Sequence, residues 1–271
     1  MTANNEMLPD NPVVDARIGN SPIIVSMPHS GLTLPKGMIS RMTHVGLSLK
    51  DTDWHIPELY DFVYQLDATV IKANYSRYVV DLNRPANNES LYPGQATTGI
   101  CPEHSFVNEP LYKTKEGLTD SEVNFRVEHY WKPYHQALGS AIERVKQKHG
   151  YCILYDAHSI RSEVPRLFSG TLPTLNVGTA EGQSCDSSMQ TLIEESLNEQ
   201  KKFSTVTNGR FVGGYITRNY GVPKNNVHAI QMEIAQHSYM LESNENTYLA
   251  EKAEVLKGIL EVIFEKLLHW R

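Results

Sequence analysis

Apolar positions along this chain follow two rhythms. Short, mostly apolar runs at residues 23–27, 69–73, 151–155 and 227–234 predict strands, that at 151–155 buried on both faces. Residues 174–177 predict a shorter strand, and 78–82 predict another, or a continuation of 69–73. Between these runs the apolar residues recur at helical spacing. Leu59, Phe62, Val63 and Leu66 follow Pro57, and Leu192, Ile193 and Leu197 follow Asp186. Val123, Val127, Trp131, Tyr134, Leu138, Ile142 and Val145 make a longer stripe, opened by Thr119-Asp-Ser-Glu122 as a capping box and kinked at Pro133. A closing amphipathic helix over 246–270 carries Leu249, Ala253, Leu256, Leu260, Ile263 and Leu267 on one face. Strand and helix alternate without an internal repeat. This predicts one α/β domain over 1–271, with a mixed, mostly parallel sheet and helices on both faces.

Four stretches lack either rhythm. Residues 1–20 read as a lead-in, and 161–173 as irregular chain. Residues 85–119 hold Pro85, Pro93, Gly94, Gly99, Pro102, Pro110 and Gly117. An unpatterned segment that long inside a domain is usually a lid or a wall of a site. Residues 208–218 read as a Gly-rich loop with a brief extended piece.

Composition narrows the classes of function. With 25 Lys and Arg against 31 Asp and Glu, the formal charge is −6, which argues against nucleic acid or an anionic membrane as partner. No apolar window is long enough to span a membrane, and residues 1–17 are polar, so a cytoplasmic location is expected. Cys101, Cys152 and Cys185 are dispersed, which predicts neither a disulfide framework nor a thiolate zinc site. Oligomeric state is not legible here.

Candidate chemistry gathers where strands end. The run 151–155 leads into Asp156, His158 and Arg161, and the run 23–27 leads into His29. In an open α/β sheet the carboxyl ends of strands are where ligands bind. Two imidazoles and one carboxylate leave a zinc ion an open position for water. Asp51 and Asp53 both offer that carboxylate, and Asp53 is favoured, with helix capping as the structural alternative for either. Asp156, on the same strand face as His158, is placed to hold its tautomer. Arg77 and Arg84 flank the run 78–82, and two guanidinium forks point to an anionic substrate, Asp81 being available to pair with one of them. Glu233 ends the run 227–234 and suits a base that passes a proton to a leaving nitrogen. Its structural alternative is an ion pair with Arg218 or Arg210. Neither Ser30 nor Ser159 lies in a G-x-S-x-G elbow, and no G-x-G-x-x-G opens a helix.

Six stretches jointly resemble the N-formylglutamate deformylase (amidohydrolase) family: Pro28-His-Ser-Gly31, Asp51-Thr-Asp-Trp54, residues 75–85 (YSRYVVDLNRP), residues 91–99 (LYPGQATTG), Asp156-Ala-His-Ser-Ile-Arg161 and Gly213-Gly-Tyr-Ile-Thr-Arg218. The resemblance implies a metal-dependent hydrolase releasing formate and L-glutamate from N-formyl-L-glutamate, in histidine degradation. More distantly, the order of His29, residues 77–84, Asp156-x-His158 and Glu233 is similar to zinc carboxypeptidases and aspartoacylase, which implies a zinc-exopeptidase-like (phosphorylase/hydrolase-like) fold. It further implies zinc on His29 and His158, carboxylate binding by Asn83 and Arg84 with Arg77 nearby, and Glu233 as general base. Arg161 or Arg218 would take a second carboxylate or the oxyanion. The HxxE ligand of that wider pattern is missing, because Leu32 stands three after His29; the resemblance therefore supplies no third ligand, and Asp53 is favoured over Asp51 for that place. Two alternatives remain open: a zinc deacylase of another N-acyl acidic amino acid, and a non-enzymatic acidic amino-acid binder.

Overall fold

Strands whose side chains are apolar on both faces need cover on both sides, and they fill the middle of the sheet. The computed structural model describes residues 5–91, 94, 97–114, 117–244 and 247–271. Its strands are β1 (Val14–Arg17), β2 (Ile23–Met27), β3 (Thr69–Ala73), β4 (Cys152–Ile160), β5 (Leu175–Gly178), β6 (Thr205–Thr207) and β7 (Val227–Ala235). They form one sheet in the order β1-β3-β2-β4-β7-β5-β6. The inner pairings β3-β2, β2-β4 and β4-β7 are parallel, as is β5-β6, whereas β1 and β5 run antiparallel to β3 and β7. The sheet is mixed and mostly parallel, as the pattern predicted.

The helices are α1 (Lys36–Ile39), α2 (His44–Ser48), α3 (Ile56–Leu59), α4 (Asp120–Arg126), α5 (Lys132–His149), α6 (Ser187–Glu199), α7 (Tyr215–Tyr220) and α8 (Ala250–Leu268). One face of the sheet packs on α3, α6 and α8 through Ile153, Tyr155, Ile230 and Met232. The other packs on α5 and α7 through Leu154, Ala229 and Ile24. This is one α/β domain with helices on both faces.

Several elements differ from the sequence pattern. Residues 78–82 are buried but form turns, not a strand. Their carbonyls are satisfied without a ladder, since the buried Arg126 guanidinium donates to Val79 O at 3.1 Å and to Tyr78 O at 3.5 Å. β1 lies within the expected lead-in; three of its four residues are exposed, so it carries no apolar signal. The helix after Pro57 stops at Leu59 and continues as a 3-10 turn, Asp61–Tyr64. Thr119 caps α4, accepting from Glu122 N at 3.2 Å, while the Glu122 carboxylate goes to Arg41 and Arg126 instead of closing the box. Near Pro133 the irregularity is a π turn, Val127–Trp131. Proline has no N–H for the carbonyl four residues back, so the ladder shifts there. Of the expected closing helix, residue 246 lies outside the described residues, as do 92, 93, 95 and 96 of the 91–99 motif.

Candidate metal centre and cleft

β4 and β7 each change character halfway along one face. On β4, Cys152 and Leu154 join the apolar layer against α5, and the next two residues on that face are Asp156 and His158. On β7, Val227 and Ala229 give way to Gln231 and Glu233. The register sets Asp156 opposite Gln231 and His158 opposite Glu233. Because side chains alternate across a strand, all four face the same way. Both strands continue past these residues, so His158 and Glu233 lie within β4 and β7, not at their tips. This end of β2 and β4 is where the chain departs to β3 on one side and returns to β4 on the other, a topological switch point.

His29 stands two residues beyond β2. The Asp53 N–H donates to His29 O at 3.1 Å, which fixes Asp53 beside it. Gly31 lets the segment from residue 74 come close, since a Cβ there would stand 2.3 Å from Tyr75 O. Ser76 N then bonds Thr33 O at 2.9 Å, leading Arg77 to Arg84 past the histidines.

His29, Asp53 and His158 thereby form a buried group whose ligand atoms all lie within 4.8 Å of one another. Each imidazole is held from behind: His29 Nε2 donates to Asp81 Oδ1 at 2.7 Å and His158 Nε2 to Asp156 Oδ2 at 2.8 Å. Both Nδ1 atoms are left for Asp53 Oδ2, at 3.7 Å from His29 and 2.9 Å from His158. A neutral His29 places two lone pairs face to face across that 3.7 Å gap, and Asp53 Oδ1 has no hydrogen-bond partner. Such a set of buried donors, each imidazole backed by a carboxylate, fits a divalent cation.

The charged groups around this centre set one another's protonation. Burial, then the Arg77 cation, lowers the His29 pKa below its ordinary value. Burial opposes charge on His158 too, but Asp156 and Asp53 overcome it and raise that pKa well above the usual value. A cation on Nδ1 would displace the proton now shared with Asp53. Burial likewise disfavours charge on Asp81, yet His29 and Arg77 hold it well below the usual carboxylate range. Arg77 Nη2 meets Asp81 Oδ2 at 2.7 Å, and Nη1 lies 3.6 Å from Asp53 Oδ1. Burial pushes the Glu233 pKa up to about 8, against the pull of His158.

The group opens into a cleft. Of the residues singled out in the sequence, His29, His158, Glu233, Arg77, Asn83 and Arg84 line it. Asp53 is buried behind the histidines and is not a helix cap, since His55 caps α3. Asp51 instead accepts Phe106 N at 2.8 Å, tying down the segment that supplies Thr97, Thr98 and Phe106 to the cleft. Asn83 spends its amide on the protein: Oδ1 accepts Ile216 N at 2.8 Å, while Nδ2 lies 3.1 Å from His158 Nε2 and 3.3 Å from Asp156 Oδ2. Gly214 permits this, for a Cβ there would fall 2.3 Å from Asn83 Nδ2. Arg161 and Arg218 do not line the cleft; Arg218 is exposed on α7 with its Nε on Gly213 O at 2.8 Å.

Among the polar residues of the cleft, the sequence did not single out Gln231 and offered Arg210 only as a possible partner of Glu233. Gln231 accepts Gly214 N at 2.8 Å and donates to Glu233 Oε2 at 3.3 Å; its place two before Glu233, on one strand face, was the available signal. Arg210 lines the cleft from the loop after β6, where no periodicity marks it.

Comparison with known proteins gives the relatives of this chain. Residues 21–240 match the family model for N-formylglutamate amidohydrolase. The chain is 45% identical over 254 residues to an N-formylglutamate deformylase of Pseudomonas putida, covering 93% of this chain and 94% of that protein. A second N-formylglutamate deformylase, from Pseudomonas aeruginosa, is 44% identical over 260 residues, covering 95% and 97%. In fold the chain is similar to the crystal structure of N-formylglutamate amidohydrolase from Ralstonia eutropha JMP134, with TM-score 0.81 at 23% identity over 96% of this chain and 98% of that one. The gene product Atu2144 of Agrobacterium tumefaciens shares the fold at TM-score 0.73 and 16% identity, covering 99% of each chain. The chain belongs to the N-formylglutamate amidohydrolase family.

Proposed function

We propose that this amidohydrolase cleaves N-formyl-L-glutamate to formate and L-glutamate with the help of a divalent cation, zinc being the ion whose usual ligands match the donors. The observation that carries this reading is the buried His29–Asp53–His158 group opening into a cleft lined by Glu233 and arginines. Bound there, zinc would supply a Lewis acid and a water of lowered pKa. Asp81 and Asp156 hold both imidazoles with Nδ1 presented. Glu233, buried and shifted toward neutrality, takes the proton of the attacking water and returns it to the departing amine nitrogen. Gln231 holds the Glu233 carboxylate by its side-chain amide. Arg84 receives a substrate carboxylate, and Asn83 keeps Arg84's segment against the metal ligands. Arg77 acts on Asp53 and Asp81 instead of on substrate. Hydrolysis of this substrate suits a step of histidine degradation in the cytoplasm.

The purified protein should release formate from N-formyl-L-glutamate, lose that activity to a chelator and regain it with zinc. Glu233→Gln should keep its zinc while kcat falls about 10²- to 10⁴-fold. Full turnover by metal-free protein would refute the cation, and full turnover by the Gln variant would refute the base. N-acetyl and N-succinyl glutamate in the same assay test the alternative acyl groups.

A further inference from the structure

Ser26 is the one polar residue of β2, a strand buried along its whole length. It pairs with Asp156 on the β2-β4 ladder and stands two residues after Ile24, so its hydroxyl faces the layer covered by α5. A buried hydroxyl without a partner is costly. Ser26 donates to Asp156 Oδ1 at 2.8 Å, and Asp156 Oδ2 takes the His158 Nε2 proton at 2.8 Å. The Tyr134 hydroxyl of α5 lies 3.0 Å from Ser26 Oγ. Since the Ser26 proton is spent on Asp156, Tyr134 is the donor of that pair. Ile71 O, at 3.2 Å, is a second acceptor for the same hydroxyl. Resting on the reading of His29–Asp53–His158 as a metal centre, we infer that Ser26 and Tyr134 are positioning residues, which hold the Asp156 carboxylate so that His158 keeps Nδ1 turned toward the cation.

The two imidazoles are backed in different ways. Asp81 is fixed by Arg77 Nη2 at 2.7 Å and by the Asn83 N–H at 2.9 Å. Asp156 is held by hydroxyl and amide donors instead. Ser26 donates to Oδ1, while Asn83 Nδ2 lies 3.3 Å from Oδ2 and also reaches Gln231 Oε1 at 3.4 Å. The Ser26 bond is therefore the short one on the oxygen that His158 does not use. The torsion that turns a carboxylate plane is broad and roughly two-fold, so it needs a partner to fix it. Without Ser26, Oδ1 loses that partner in a buried place, and turning to recover one takes Oδ2 away from His158. Tyr134 carries the support into α5, where its ring belongs to the apolar layer. Burial raises its pKa well above the usual value, which keeps the hydroxyl a donor.

The test compares zinc dissociation constants, from chelator competition, for wild type, Ser26→Ala, Tyr134→Phe, Asp156→Asn and the Ser26→Ala/Asp156→Asn double variant. Ser26→Ala should weaken zinc about 10-fold, the lower end for residues that orient a metal ligand, and Tyr134→Phe by a smaller factor in the same direction. Tyr134→Phe keeps the ring in the core, so it decides the question if Ser26→Ala does not fold. The double variant separates positioning from a general loss of structure. If Ser26 acts through Asp156, its removal adds little to the loss in Asp156→Asn. Wild-type affinity in either single variant strikes that residue from the chain of hydrogen bonds. Losses that multiply in the double variant overturn the inference for Ser26.

A wild type that binds no zinc would refute the metal reading instead. The positioning role is then decided in metal-free protein by proton NMR with ring-¹⁵N-labelled histidine. The His158 Nε2 proton, held between imidazole and carboxylate, should move upfield and exchange faster with water in Ser26→Ala and Tyr134→Phe. An unchanged signal in both variants overturns the inference.

Discussion

Asp81 shows how one side chain sets the state of another. Its Oδ1 accepts the His29 Nε2 proton, and its Oδ2 is held by Arg77. With an acceptor at Nε2, His29 carries its proton there and offers Nδ1 as a lone pair. Asp156 holds His158 by the same nitrogen. Removing such a carboxylate leaves the ligand in place but loosens its tautomer and orientation, which costs about 10- to 100-fold in metal affinity. Asp81→Asn should therefore weaken zinc binding by that factor in a chelator competition, whereas Glu233→Gln should leave it close to wild type. Equal affinities for Asp81→Asn and wild type would remove Asp81 from the metal site. Arg77 explains how the carboxylates Asp51, Asp53 and Asp81 can share a buried corner: one guanidinium faces all three, and Phe106 covers it at 4.7 Å.

At the scale of elements, what was legible in the sequence depended on where backbone groups find partners. β2, β4 and β7 could be read because each central parallel strand begins with, or is mostly made of, apolar residues. β1 was not legible because an exposed edge strand looks like a polar loop. Residues 78–82 have a strand's composition but satisfy their carbonyls through Arg126, a partner 47 and 48 positions away that no local pattern reveals. His29, Asp53 and His158 could be found because each lies on, just after or just before a recognisable element, whereas Arg210 lies in a loop whose position only tertiary packing determines. α5 carries a further consequence. Its His135 donates from Nε2 to Leu82 O at 2.9 Å and accepts the Tyr220 hydroxyl at Nδ1 at 3.0 Å, joining α5 to the segment before Asn83 and to α7. Burial lowers its pKa to about 4. The unfolded chain takes up that proton near the ordinary value of about 6.5, so between these values acid favours unfolding. Stability should fall as pH drops through this window. By urea denaturation, wild type should lose about 2 kcal/mol more than His135→Gln between pH 7 and pH 5. Parallel losses in the two proteins would mean that His135 is protonated in the folded state.

The molecule as a whole brings its site together from segments that only the folded chain aligns. His29 follows β2, Asp53 precedes α3 and His158 lies in β4 on the other side of the switch point. An unfolded chain would have to close loops of 24 and 105 residues to present all three to one ion, a large entropic cost. Zinc should accordingly bind the folded state far better than the unfolded one and stabilise it by mass action, by about 2.7 kcal/mol when free zinc is 100 times its dissociation constant. The midpoint of thermal unfolding should rise with each addition of zinc to chelator-treated protein, and the rise should vanish in His158→Ala. That comparison separates site binding from general effects of the ion, because surface carboxylates are the same in both proteins. Substrate alone should give a smaller rise in metal-free protein, since Arg84 does not depend on the ion. A midpoint that climbs equally in wild type and His158→Ala would show that zinc acts elsewhere on the chain, and the metal reading of the His29–Asp53–His158 group would have to be abandoned.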